Sequence, residues 1–130
     1  MRANGRIWPA RGIVPDVLEA SHSASLQMTS YTSISGSAAY PADYRGDALV
    51  ALHGSWNRTI RTGYKVIHVL LNHGVPTGQF DDFLTGVVIN NHSVWGRPVG
   101  VTVAHDGALL ITEDGNGTIM RNAQSRNAGG

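Results

Sequence analysis

Ser93-Val94-Trp95-Gly96-Arg97-Pro98-Val99-Gly100-Val101-Thr102-Val103-Ala104-His105-Asp106-Gly107-Ala108-Leu109-Leu110-Ile111-Thr112-Glu113-Asp114-Gly115-Asn116-Gly117-Thr118-Ile119 decides the fold. It reads as short apolar-rich strands at Gly100–Ala104, Ala108–Glu113 and Thr118–Arg121. They are parted by the turns Asp106-Gly107 and Gly115-Asn116-Gly117. Asp-Gly and Asn-Gly pairs supply the positive-φ residues that tight hairpins need. Strand, turn, strand, turn, strand is the grammar of one blade of a β-propeller. Trp95 and Arg97 stand just ahead of the first strand, where a propeller presents side chains to its central channel. A single blade cannot close a ring, so the pattern predicts a chain that is part of a larger propeller.

Working outward, a second unit precedes this one. Leu26–Tyr31 alternates apolar and polar residues, as a half-buried strand does. Tyr40–Asp47 is a turn-rich approach containing Pro41. Ala48–His53 is a short, nearly all-apolar run, suited to a strand covered on both faces. Gly63–Leu71 is its expected hairpin partner, and Asn72–Gly78 a turn cluster. Gln79–Leu84 reads as an outer strand or a single turn, and Val87–Ile89 as a further short strand. Leu49 and Leu109 lie 60 residues apart at equivalent places in the two units, a weak repeat in pattern rather than identity. The expected organisation is a loop or blade remnant over 1–25, two blades over 26–122 and a frayed tail over 123–130.

Composition agrees with an all-β chain. Of 130 residues, 16 are glycine and only 15% are charged, which favours many turns over a helical bundle. A formal charge of +1 offers no basic stripe for nucleic acid. The absence of cysteine removes disulfides and thiolate metal sites. No apolar run approaches a membrane span, and Arg2 and Arg6 are not followed by the apolar core of a secretory signal. Both ends read as those of a truncated product. Two blades would leave sheet edges open to pairing with another chain.

Two constellations carry chemistry. His53-Gly54-Ser55-Trp56-Asn57-Arg58 closes an apolar strand with an imidazole, a flat indole, an amide and a guanidinium. A planar, carboxylate-bearing ligand would use such a set through stacking and charge-assisted bidentate bonds. The plainer alternative is a strand end whose Trp56 packs in the blade core while Asn57 and Arg58 are solvated. In Trp95-Gly96-Arg97-Pro98, the proline restricts Arg97 to an extended backbone and so aims its guanidinium. The alternative there is an inter-blade ion pair with Asp114 or another carboxylate. His68, His73, His92 and His105 fall at strand or turn positions and are expected to be solvated; no H-E-x-x-H spacing occurs. The Asp114 loop fits no EF-hand pattern, and Ser55 lacks a G-x-S-x-G elbow.

Tyr44–Arg58, Gly63–Val66, Asp82–Gly86, Trp95–Gly100 and Asp114–Ile119, in this order, resemble the closing part of the glucose/sorbosone dehydrogenase family. These are soluble sugar dehydrogenases dependent on pyrroloquinoline quinone (PQQ), built on a six-bladed propeller. The resemblance covers about residues 14–121. It implies a quinone held across the channel, with His53, Trp56, Asn57, Arg58 and Arg97 as the cofactor-binding candidates here. It also implies a sugar substrate oxidised at C1, a separate electron acceptor and a periplasmic site. The family's calcium and its histidine base come mostly from blades outside this stretch, so no catalytic residue or metal ligand is carried over, and the isolated chain is expected to be inactive. A binding module without chemistry, or a remnant without function, is the alternative.

Overall fold

The computed structural model describes residues 15–32 and 35–124, together with the backbone of a short ribbon, β1 (Arg2–Ala3) and β2 (Arg6–Ile7). Residues 1, 4–5 and 8–14 of the segment expected as a blade remnant, and 125–130 of the expected tail, lie outside the described residues.

Alternation and turns build two antiparallel meanders. The first sheet runs β3 (Ser25–Ser30), β4 (Ala48–Leu52), β5 (Lys65–Asn72) and β6 (Val75–Leu84), in sequence order. A small ribbon follows, β7 (Val88–Asn90) with β8 (Ser93–Val94). The second sheet is β9 (Pro98–Val103), β10 (Leu109–Glu113) and β11 (Thr118–Asn122), again a meander. The architecture is all-β, two stacked blades of a partial propeller. A 3₁₀ turn at Ala42–Tyr44 is the only helical piece among the described residues.

β4 is buried at all five positions, as its unbroken apolar run predicts. The two-residue period divides it between two cores. Leu49 and Ala51 join Val66 and Tyr31 against Val101, Leu109 and Ile111 of the second sheet. Ala48, Val50 and Leu52 join Ile67 and Val69 on the opposite face, where Val17, Leu71 and Phe80 pack against them.

Three expectations change. The cluster Asn72–Gly78 is not all turn: only His73-Gly74 reverse the chain, and β6 begins at Val75. The strand near Leu26 is mostly exposed rather than half-buried, with Leu26 and Met28 open to solvent. His68 is not solvated. It pairs with Leu49 across the ladder and so faces the second sheet. There its Nε2 lies 2.7 Å from Asp47 Oδ2, and the Tyr44 ring stacks on it with centroids 4.4 Å apart.

Tyr31 ties the sheets at that end. It is fully buried, its hydroxyl donates to Gly107 O at 2.9 Å, and the same oxygen accepts the Tyr40 N–H at 2.8 Å. Burial, with Tyr31 and Tyr44 adjacent, pushes the Tyr40 phenol up to about 12, so it stays a protonated donor to Asn122. We expect Tyr31→Phe to leave one buried carbonyl and one buried N–H without this partner, at a cost of about 1–3 kcal/mol. Leu109→Ala, in the same core, should cost about 2–5 kcal/mol. Urea unfolding of both variants checks this; a Tyr31→Phe midpoint equal to that of the wild type would mean the hydroxyl carries no stability.

Candidate functional site

The ends of five strands meet at the other end of the sheets. Ser25 of β3 pairs with Leu52 of β4, and Leu52 with Lys65 of β5. Pro98 of β9 pairs with Glu113 of β10. The segments that continue these strands, 21–24, 53–64, 95–97 and 114–117, therefore share one face.

The loop after β4 is pinned at its base. His53 N–H donates to Ala24 O and Gly54 N–H to Ser23 O, both at 2.9 Å. Ser55 N–H donates to Thr62 O at 2.8 Å, and its hydroxyl accepts the Thr62 N–H at 3.0 Å. Gly54 has φ +97°, and a Cβ there would lie 2.3 Å from the Tyr64 ring, so only glycine lets that ring close over the backbone. Tyr64 is buried and itself left-handed at φ +55°. Its hydroxyl donates to Ser55 O.

Two guanidiniums attend this ring. The carbon of Arg61's guanidinium lies 5.3 Å from the Tyr64 centroid and that of Arg97 lies 5.5 Å away, both within cation–π range. Arg61 donates one NH to the Tyr64 hydroxyl at 2.9 Å. Arg97 donates one to Gly54 O at 3.3 Å, which joins the second blade to the first. The Nε atoms of both arginines are buried and have no hydrogen-bond partner. Among the described residues neither forms an ion pair. A cavity of about 260 Å³ opens beside Arg61, walled by Glu19, Ser23, Lys65, Leu52 and Phe80 among others.

His53 Nε2 lies 2.8 Å from Asp114 Oδ1, a second link between the blades. Asp114 therefore pairs with His53, and the inter-blade ion pair weighed between Arg97 and Asp114 does not form. Trp56, Asn57 and Arg58 project on an exposed loop. Trp56 is 84% exposed, so it does not pack in the blade core. Arg58 donates to Ser21 O at 2.9 Å. Trp95 is half-exposed, and its indole N–H donates to Gly86 O at 2.8 Å.

Glu113 is buried at the turn after β10. Its carboxylate accepts the Thr118 hydroxyl at 2.6 Å and the N–H groups of Thr118, Asn116 and Arg97 at 3.0–3.3 Å. The Thr118 hydroxyl, followed by those backbone N–H groups, draws its pKa down from 4.5 to about 2. Sequence reasoning passed over Arg61, Tyr64 and Glu113. Arg58 and Arg61 share one polar loop, and nothing in residue type says which returns over the ring. Among the described residues no group of three or more His, Asp or Glu could hold a metal ion.

Comparison with known proteins adds three findings. The family model described as TrAA12-like matches residues 10–122. An uncharacterized protein of Borreliella burgdorferi is 34% identical over 83 residues, 63% of this chain. The holo form of the pyranose dehydrogenase PQQ domain from Coprinopsis cinerea superposes with a TM-score of 0.65 at 27% identity over 88% of this chain. The chain spans 22% of the first protein and 30% of the second.

The Glu113 shift fixes the sign of an acid response. Its pKa is lower folded than unfolded, so its contribution is complete above about pH 4.5 and is lost as pH falls towards 2. Asp106, held low first by the Ala108 N–H and also by Arg121, acts in the same sense. We expect the melting temperature to fall on acidification through this window, and to fall less steeply in Glu113→Gln. Parallel curves for the two proteins would show that the Glu113 carboxylate is not a source of the acid sensitivity.

Proposed function

The chain belongs to the TrAA12-like family, and we propose that it supplies part of the cofactor-clamping face of a PQQ-dependent sugar dehydrogenase. The observation that carries this reading is the pair Arg61 and Arg97, set about one aromatic ring with buried, unpartnered Nε atoms and, among the described residues, no ion pair. A planar quinone bearing several carboxylates fits such a donor set. Guanidiniums offer planar, always-charged forks to carboxylates, and a dry wall on one side strengthens each bond.

In this reading Arg97 and Arg61 bind the carboxylates. Tyr64 holds both guanidiniums in place, and Gly54 lets the ring approach the backbone. His53, fixed by Asp114, borders the clamp, and Trp56, Asn57 and Arg58 make outer contacts from the exposed loop. The quinone, when bound, supplies the two-electron acceptor for oxidation of a sugar at C1. No residue of this chain is assigned as the base that takes the sugar proton, and no step is derived through calcium.

The parent protein would act on an aldose or a sugar aldehyde of the sorbosone type, with a separate electron acceptor, in the periplasm. Similarity to a pyranose dehydrogenase PQQ domain supports the sugar class. No helix among the described residues is long and apolar enough to cross a membrane.

The test is a PQQ titration, followed by cofactor absorbance, of the wild-type chain and of the variants Arg97→Ala, Arg61→Ala and Arg58→Ala. A charge-assisted bond contributes about 1.5–3 kcal/mol, so losing Arg97 or Arg61 should weaken binding at least about tenfold. Loss of Arg58 should change it about twofold or less. Saturable binding with that order supports the clamp. Failure of a cooperatively melting chain to bind PQQ, or indifference to Arg97→Ala, would sink it and favour a propeller module without chemistry. We also expect no sugar-dependent reduction of an artificial acceptor by the PQQ-loaded chain alone; turnover would place the base within it.

A further inference from the structure

We propose that Glu113 is a positioning residue for the guanidinium of Arg97, an inference that rests on the reading of this face as an anionic-cofactor clamp. The β9–β10 ladder shifts register between Thr112 and Glu113, so that Glu113 stands opposite Pro98. Such bulges re-aim a side chain relative to its strand. Here the shift accompanies a carboxylate turned to the backbone just ahead of β9.

Glu113 Oε2 accepts the Arg97 N–H at 3.3 Å, and the next residue, Asp114, donates its own N–H to Arg97 O at 3.2 Å. Both backbone polar groups of Arg97 are thus held by one dipeptide, and Pro98 restricts its conformation from the other side. On the same turn Asn116 donates its side-chain amide to Trp95 O, so the whole Trp95–Arg97 segment is moulded on 113–116. From this fixed root the Arg97 side chain crosses to Tyr64 and Gly54 of the first blade. A long side chain reaches a set point only when its root is set, and here the root is set by a buried anion in the neighbouring turn.

The partners of the carboxylate are all donors: Arg97 N–H, Asn116 N–H, Thr118 N–H and the Thr118 hydroxyl. A glutamine in its place would offer one oxygen and one NH₂, and the NH₂ would face donors. Glu113→Gln therefore keeps the shape and breaks the arrangement. Tyr31→Phe removes a polar link at the opposite end of the sheets, away from Glu113 and Arg97.

The test reads Arg97 directly, by the chemical shift and solvent exchange of its Nε–H resonance in the ¹⁵N-labelled chain, and PQQ affinity in parallel. We expect Glu113→Gln to shift that resonance and speed its exchange at least about fivefold, and to weaken PQQ binding about tenfold. Tyr31→Phe should lower the melting temperature yet leave both within about twofold. In an Arg97→Ala background Glu113→Gln should have no further effect on affinity. Should Glu113→Gln not fold, Glu113→Asp retains the charge but withdraws the oxygen by one methylene, and should shift the Arg97 resonance in its place. Equal effects of the Glu113 variants and of Tyr31→Phe on the Arg97 resonance, or no effect of either Glu113 variant, would overturn the proposal. A wild-type chain that binds no PQQ while its Arg97 resonance responds as expected would sink the clamp and leave the positioning intact.

Discussion

Leu49, Ala51 and Val66 of the first sheet meet Val101, Leu109 and Ile111 of the second, and everything at either end of the molecule hangs on that contact. Apolar burial is non-directional and would by itself allow the sheets to slide. Polar links at the two ends remove that freedom. At one end the Tyr31 hydroxyl joins the 106–107 turn to the backbone of Tyr40. At the other, Arg97 reaches Gly54 and His53 reaches Asp114. Each strand delivers its terminal residues to one end or the other, so packing in the middle sets the geometry of both.

The two ends are finished differently. The Tyr31 end gathers Tyr40, Tyr44, Phe83 and His68 into a tilted and stacked aromatic group, with Asp47 taking both His68 and the Leu71 N–H. Most of the polar groups described there have partners. The Arg97 end sets two guanidiniums about the single ring of Tyr64, yet leaves two buried guanidinium nitrogens without partners. Buried polar groups are generally satisfied, and exceptions call for an explanation. That asymmetry sets the Arg97 end, where the proposed clamp lies, apart from the Tyr31 end.

Much of the fold was legible because strand patterns are local. The all-apolar run Ala48–Leu52 announced a strand buried on both faces, and Asp106-Gly107 and Gly115-Asn116-Gly117 announced the turns of the second blade. His68 was misjudged because alternation tells which face a residue takes but not what covers that face; the Tyr44 ring, 24 positions away, does the covering. Val75–Gly78 was taken for turn because Pro76 and Gly78 are turn residues, yet both sit in an outer edge strand, where a missing donor and a flexible backbone are tolerated.

The site divides along the same line. The order of residues in the chain determined that His53 would end a buried strand and that Arg97 would be aimed by Pro98, because strand burial and the restraint before proline act between neighbours. It also carried, through Trp95-Gly96-Arg97-Pro98 and its companion motifs, the likeness to a quinone-dependent dehydrogenase. Only the tertiary structure decided that Arg61 rather than Arg58 joins Arg97 at Tyr64, that Asp114 takes His53, and that a buried Glu113 holds the Arg97 backbone. Those pairings join residues from different strands and turns. They depend on where two packed sheets bring their ends together, which no spacing along the chain encodes.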